Sequence, residues 1–283
     1  GSVCEGDDYP LSGATAINAS TYLWDDGAGS GLFDNATLLN PIYSPSLADA
    51  GTTVTLCVTA SPISPCAVSD TDCLDLWIQE LPDVDAGSAS LICATGYTIL
   101  DASAENVSSI LWTSTDGTFD NPTIINPKFT PKPDLFIDPI TGLGTAILHL
   151  TGYAVDPPCS GFVTDDVTFT VQPLPIAEAG LPVVTGCETG YTFVPGPYPG
   201  VSVKYNSNME WTSNGTGTFL PNAITLDATY VPSADDIDNG IVTLTLVANP
   251  INPCTLSDED DMYLIIIQNP TVTAGADATI CAN

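Results

Sequence analysis

Apolar and polar residues alternate over short runs along the whole chain. Val54, Leu56 and Val58 share one phase, and Leu74, Leu76 and Ile78 share another. Val167, Phe169 and Val171 repeat the pattern. Val242, Leu244 and Leu246 do so again, with Thr243 and Thr245 between them. A period of two turns one face to a core and the other to water. The runs are short, rich in Val, Ile, Thr, Tyr and Phe, and bounded by Gly, Pro, Asn and Asp. No stretch holds a 3.6-residue period over three turns. The pattern predicts an all-β chain of antiparallel sandwiches.

The alternation is itself repeated. "LWDDGAGSGLFDNATLLNPIYSP" around Trp24 returns as "LWTSTDGTFDNPTIINPKFTP" around Trp112 and as "EWTSNGTGTFLPNAITLDATYVP" around Trp211. "PDVDAGSASLIC", "PIAEAGLPVVTGC" and "PTVTAGADATIC" end at Cys93, Cys187 and Cys281, each 94 residues after the last. Units of this length are domains rather than solenoid turns. The expected boundaries are 1–86, 87–179 and 180–274, with 275–283 as the first strand of a fourth repeat. About seven strands in ~90 residues suits an immunoglobulin-like sandwich. The joints contain Pro82, Pro175 and Pro270 and no Gly/Ser-rich spacer. That favours a semi-rigid rod. Trp24, Trp112 and Trp211 occupy one repeat position and are expected to be core residues.

Charge narrows the partners. Thirty-four acidic residues face three Lys and no Arg, for a formal charge of −31. Nucleic acid and anionic membranes both need cationic side chains, so neither is an expected partner. No apolar run reaches the ~18 residues of a membrane helix. Gly1-Ser2 fits either a cloning remnant or the tail of an Ala-Gly junction.

The nine cysteines align with the repeats. Each repeat has an early Cys and another after Pro in "SPISPC", "AVDPPC" and "NPINPC". This predicts Cys4–Cys66, Cys93–Cys159 and Cys187–Cys254, each bridge tying an incoming strand to the hairpin that returns beside it. Cys57 and Cys73 lie on the wet phase of adjacent strands and predict a cross-strand bridge. Cys281 is left without a partner. Regular pairing requires an oxidising, extracytoplasmic compartment. C-x₂-C pairs and clustered His ligands are missing, against a zinc site.

Candidate chemistry is sparse. His149 is the only His and falls between Leu148 and Leu150, on a wet strand face. No nucleophile elbow or zinc-protease motif is present, which argues against an enzyme. The acidic runs hold Asp235, Asp236 and Asp238, then Asp258, Glu259, Asp260 and Asp261. They read either as solvated turns or as oxygen ligands for calcium at a joint. Trp77, and Ile266 beside Leu264, are expected to face outward as a patch for another chain, domain or ligand. The insertion "VPGPYPGVSVKYNSN" (194–208), with Tyr198 and Tyr205, is where an aromatic cleft would differ between repeats.

Together the Ala-Gly/Cys strand, the "GYTIL…LWTS…GTFDNPT…NPKFTP" core and the "TLTL…NPC…SDEDDMYLIIIQ" hairpin resemble PKD-like, immunoglobulin-like tandem repeats of large secreted Bacteroidota surface proteins. The resemblance covers the whole chain. It implies a segment of a cell-surface adhesin of the gliding-associated type, exported by the type IX system. The expected partners are neighbouring repeats of the same chain. A glycan- or protein-binding module, or a filament subunit docking with other chains, is the alternative.

Overall fold

The computed structural model describes residues 1–277. Cys281 and most of the expected fourth-repeat strand therefore lie outside the described residues. The chain clusters into two compact units. One contains 1–89, 98–130 and 147–168; the other contains 90–97, 131–146 and 169–277. The second sequence repeat is divided between them.

In the first unit, repeat 1 forms two sheets. The larger runs in the order Ser2–Cys4, Asp70–Gln79, Thr53–Pro62, Ala19–Asp25. The smaller runs Tyr9–Pro10, Ile42–Ser44, Leu32–Phe33. Between them lie Val3, Leu11, Trp24, Tyr43, Val54, Leu56, Leu76 and Ile78, all buried. The alternation in the sequence thus marks the inward face. Part of repeat 2 belongs to this unit, where Val107–Thr113 pairs antiparallel with Gly144–Ala154 and Trp112 lies opposite Leu150.

In the second unit, repeat 3 repeats the plan. Its larger sheet runs Val183–Cys187, Asp258–Ile267, Ile241–Pro250, Asn206–Ser213. Its smaller sheet runs Tyr191–Thr192, Thr229–Val231, Thr218–Leu220. The chain is all-β and built of immunoglobulin-like sandwiches.

The repeated phrase is the aromatic centre of each sandwich. Each core Trp places its ring N–H 3.3 Å from a carbonyl in the following loop: Leu39, Ile125 or Leu226. Its backbone N–H bonds Ala36, Pro122 or Ala223 at 2.8–2.9 Å. The Phe of the phrase then bridges to the final aromatic, with ring centres 5.0, 5.2 and 5.1 Å apart for Phe33–Tyr43, Phe119–Phe129 and Phe219–Tyr230. Such rings bury large area in defined geometry, which is why the phrase recurs.

One pairing departs from an all-antiparallel plan. The first strand of each repeat lies parallel to the last. Cys4 sits opposite Gln79, Cys93 opposite Gln172 and Cys187 opposite Ile267. This puts the early Cys at the outgoing end of its own repeat.

Candidate functional site at the joints between repeats

That parallel pairing decides the disulfides. In the structure Cys4 bonds Cys159 and Cys93 bonds Cys254. Cys66 and Cys187 are free and exposed. The expected Cys4–Cys66, Cys93–Cys159 and Cys187–Cys254 pairs are not formed. The reason is distance. In repeat 1, Cys4 lies at the Gln79 end of the last strand, while Cys66 lies in the turn beyond Asp70, at its other end. Ten residues of strand put the two roughly 30 Å apart, far beyond the ~4.4–6.8 Å that a bridge spans between Cα atoms. The hairpin Cys does return to the incoming end, but the cysteine waiting there belongs to the preceding repeat. Cys57 and Cys73 are direct cross-strand partners and are bridged.

Each inter-repeat bridge is buried at the joint. Cys4, Ala154 and Cys159 pack as one small cluster. The Cys159 sulfur lies 3.6 Å from the Gln79 carbonyl oxygen, and the Cys254 sulfur lies 3.3 Å from that of Gln172. Gln79 and Gln172 end the last strands of repeats 1 and 2, so the same contact occurs at both joints.

The linker is then woven into the following repeat. Asp83–Asp85 pairs antiparallel with Ser103–Glu105, and Ile176–Glu178 with Ser202–Lys204. The alanines of the Ala-Gly pairs are sealed: Ala86 is 1% exposed and Ala179 is fully buried. Their N–H groups donate to carboxylates at one repeat position, Ala86 to Asp165 at 2.8 Å and Ala179 to Asp260 at 2.7 Å. Ala177 donates to Asp258 at 2.8 Å. Asp101 accepts from the Ser88 amide at 2.9 Å. That backbone hydrogen bond from Ser88 holds the Asp101 carboxyl below the usual carboxylate range. The glycine after Ala179 is required: Gly180 has φ +94°, and a Cβ there would lie 2.8 Å from the Pro199 carbonyl oxygen.

The sequence-selected residues can now be placed. Asp258 and Asp260 hold linker amides. Asp261 accepts from Thr245 at 2.5 Å, and Glu259 is exposed. Asp235, Asp236 and Asp238 lie on a short helix, Ala234–Asn239, capped by Ser233 and closed by Gly240 at φ +74°. Asp236 is buried. It accepts from the Tyr230 hydroxyl at 2.8 Å and from the Ser233 and Thr216 amides at 2.9 and 3.0 Å. Burial alone would raise its pKa, but these donors outweigh it and hold the carboxyl below the usual range. Burial is also the main reason the Tyr230 hydroxyl is pushed up. Four of the seven acidic residues thus have separate structural tasks: Asp236 in the helix cap, Asp258 and Asp260 on linker amides, and Asp261 on Thr245. Among the described residues, no group of three or more His, Cys, Asp or Glu is placed to hold a metal ion.

Leu264 and Ile266 face the core, at 0% and 5% exposure, and form no outward patch. The outward counterpart of Trp77 is Ile265, one residue earlier than the expectation: Thr53 lies opposite Trp77 as Ile241 lies opposite Ile265. Trp77 is 42% exposed. Tyr198 is exposed and Tyr205 half-buried. The insertion carrying them pairs with the linker. It supplies Ser202–Lys204 to the linker and buries Val201 against it. His149 is paired with Asp166 on the strand surface, at 2.5 Å. The joint carboxylates Asp165 and Asp101 escape a search for clustered ligands. The signal for Asp165 is positional: Asp72, Asp165 and Asp260 align in "TDCLD", "TDDVT" and "EDDMY".

No family model and no curated protein matches the chain. Among solved structures, it is similar to the EC1–3 fragment of mouse protocadherin-24, at 11% identity over 95% of this chain and 96% of that one, with a TM-score of 0.43. It is also similar to the I67–I69 I-band fragment of titin, at 9% identity over 95% of both chains, with a TM-score of 0.49. For Drosophila N-cadherin EC1–4 the figures are 10% identity, 94% and 73% coverage, and a TM-score of 0.36.

Proposed function

We propose that this chain is a structural segment of an extracellular stalk whose neighbouring repeats are locked to one another. The carrying observation is the disulfide that runs from the first strand of one repeat to the hairpin of the next, made twice in the same way. Such bonds persist in oxidising, extracytoplasmic surroundings. A bridge within a repeat would protect that repeat alone. A bridge between repeats fixes the joint, and the linker strand and its carboxylate anchors fix it further. The task is mechanical: to hold a distal group at a set distance from a surface. Together with the resemblance of the repeats, this supports a stalk of a large bacterial surface adhesin of the gliding-associated, type IX-exported kind. The charge of −31 keeps such stalks apart in solution. No catalytic step and no metal is needed for it.

Small-angle scattering tests the reading. Three repeats in line, with strands of ~10 residues, span on the order of 100 Å. The oxidised chain is expected to scatter as an elongated monomer of that length, unchanged by EDTA. After reduction the joints are expected to loosen and the distance distribution to broaden. A compact particle with the repeats folded on one another would overturn the stalk.

A further inference from the structure

Repeat 1 carries an open hollow of about 290 Å³ lined by Leu11, Ala14, Trp24, Val58, Asp72 and Leu74, among others. Its lining matches positions that hold a linker in the other repeats. Leu11, Ile99 and Phe193 are equivalent: each donates its amide to the carbonyl at the same point of the loop, Pro41, Pro127 or Ala228. Asp72 lies opposite Val58, which lies opposite Trp24. Asp260 lies opposite Leu246, which lies opposite Trp211. Asp72 therefore holds the position from which Asp260 grips Ala179 and Asp165 grips Ala86.

Cys66 stands at the same end of repeat 1. Its amide bonds the Ile63 carbonyl at 3.1 Å, as that of Cys254 bonds Ile251 at 2.9 Å. The two sulfurs are thus presented by the same turn, one bridged and one free. The outgoing side of repeat 3 has the complementary features. Cys187 keeps the parallel register of Cys4 and Cys93, and its carbonyl accepts from Gly190 at 3.0 Å, as those of Cys4 and Cys93 accept from Asp7 and Gly96. Its following segment, Pro270–Gly275, repeats the Pro-x-x-x-Ala-Gly pattern, yet Val272 is 98% exposed where Ala177 is buried.

We infer that the hollow of repeat 1, with Asp72 and Cys66, is the docking seat for the outgoing Pro-x-x-x-Ala-Gly segment and first-strand cysteine of a preceding repeat on the same polypeptide. Cys187 with Pro270–Gly275 is the matching plug for a following repeat. Both joints in the structure are filled in this way by a covalently attached neighbour, which supplies a high effective concentration. A separate copy would have to approach against a charge of −31 on each chain. Closing the joint converts two thiols to one disulfide. The two protons and two electrons pass to a low-molecular-weight disulfide such as oxidised glutathione, which is reduced to two thiols.

The inference rests on the stalk reading and is tested by fusing residues 1–277 of a leading copy directly to a complete trailing copy. This keeps the six-residue step from Gly275 to the next Cys that separates Gly87 from Cys93. Cys66→Ser in the leading copy, with Cys187→Ser and Cys281→Ser in the trailing one, leaves one possible new pair. After oxidation in a glutathione buffer, alkylation and cleavage at Asp and Glu, a peptide joining leading Cys187 to trailing Cys66 is expected. Amide exchange at Thr273–Gly275 of the leading copy should slow at least tenfold relative to the unfused chain. Asp72→Ala in the trailing copy should abolish that slowing. Two free thiols with unprotected linker amides would overturn the seat. A Cys187–Cys66 bond between separate unfused chains would assign it to a second copy and overturn the same-chain reading. Scattering on the fused protein separates the two proposals: an extended fusion with both thiols free sinks the seat and leaves the stalk.

Discussion

Pulling the chain from its two ends separates the observed disulfide pairing from a pairing within repeats. Once every repeat has unfolded, tension follows the shortest covalent path. With the bridges intact that path runs from Gly1 to Cys4, crosses to Cys159, returns along the chain to Cys93, crosses to Cys254 and ends at Asn283. It contains roughly 100 residues, or about 340 Å when fully extended at ~3.3–3.6 Å per residue. Full reduction releases all 283 residues and about 980 Å. The informative variant is Cys254→Ala. The tension then runs from Cys159 straight to the end, which adds only about 30 residues, or ~100 Å. The gain is small because the two closed loops overlap, so one bridge still bypasses most of what both bypass. Bridges confined to each repeat would not overlap, and the same substitution would add about 65 residues, or ~230 Å. Optical-tweezers extension of the alkylated, oxidised protein reads the difference directly. A gain near 230 Å, or an oxidised chain that stretches to the reduced length, would refute overlapping bridges.

Four further outcomes follow from the joints and the core. Asp260→Ala should cost about 1.5–3 kcal/mol in urea unfolding of the third repeat, the range for a hydrogen bond to a charged group, and should raise exchange at the Ala179 amide; Glu259→Ala, on an exposed carboxylate, should leave both unchanged. Gly180→Ala should destabilise the joint, since it strains a φ of +94° and meets a backbone oxygen; an unchanged melting point would contradict this. Trp112→Ala should cost about 3–5 kcal/mol, measured by calorimetry, because a fully buried ring leaves a large cavity. For Asp236 the sign is that of a depressed carboxylate. Its stabilisation is present above the unfolded value of 3.8 and is lost as pH falls through the lower folded value. Asp236→Asn should flatten that acid limb of the stability–pH curve, and an unaltered limb would exclude Asp236 as its source.

Much of the fold was legible because strand burial and aromatic packing are local or repeated signals. Alternation alone marked Val54, Leu56, Leu76 and Ile78 as core, since a period of two leaves no other face for them. The position shared by Trp24, Trp112 and Trp211 marked the sandwich centre because a large ring is costly to leave exposed at every copy. The outward patch failed for a matching reason. Leu264 and Ile266 obey the alternation, but aligning Ile266 rather than Ile265 with Trp77 reversed its face, and with a period of two a one-residue slip moves every side chain to the other side.

The joint was not legible, and the cause is the direction of a single three-residue strand. Ser2–Cys4 has the same composition whether it runs parallel or antiparallel to Asp70–Gln79. Only the parallel choice carries Cys4 away from Cys66 and toward the next repeat. Cysteine spacing is blind to this, because a strict repeat offers every first-strand Cys a hairpin Cys in its own repeat and another one repeat later. The acidic runs were misleading for a related reason. A carboxylate that caps a helix, one that grips a linker amide and one that binds a cation share the same letters. What separates Asp236 from Asp260 is the donor each meets: a tyrosine hydroxyl six residues before it in sequence for Asp236, and the backbone of the preceding linker for Asp260. The joints of this chain are therefore written between repeats, in contacts that no single copy of the repeat contains.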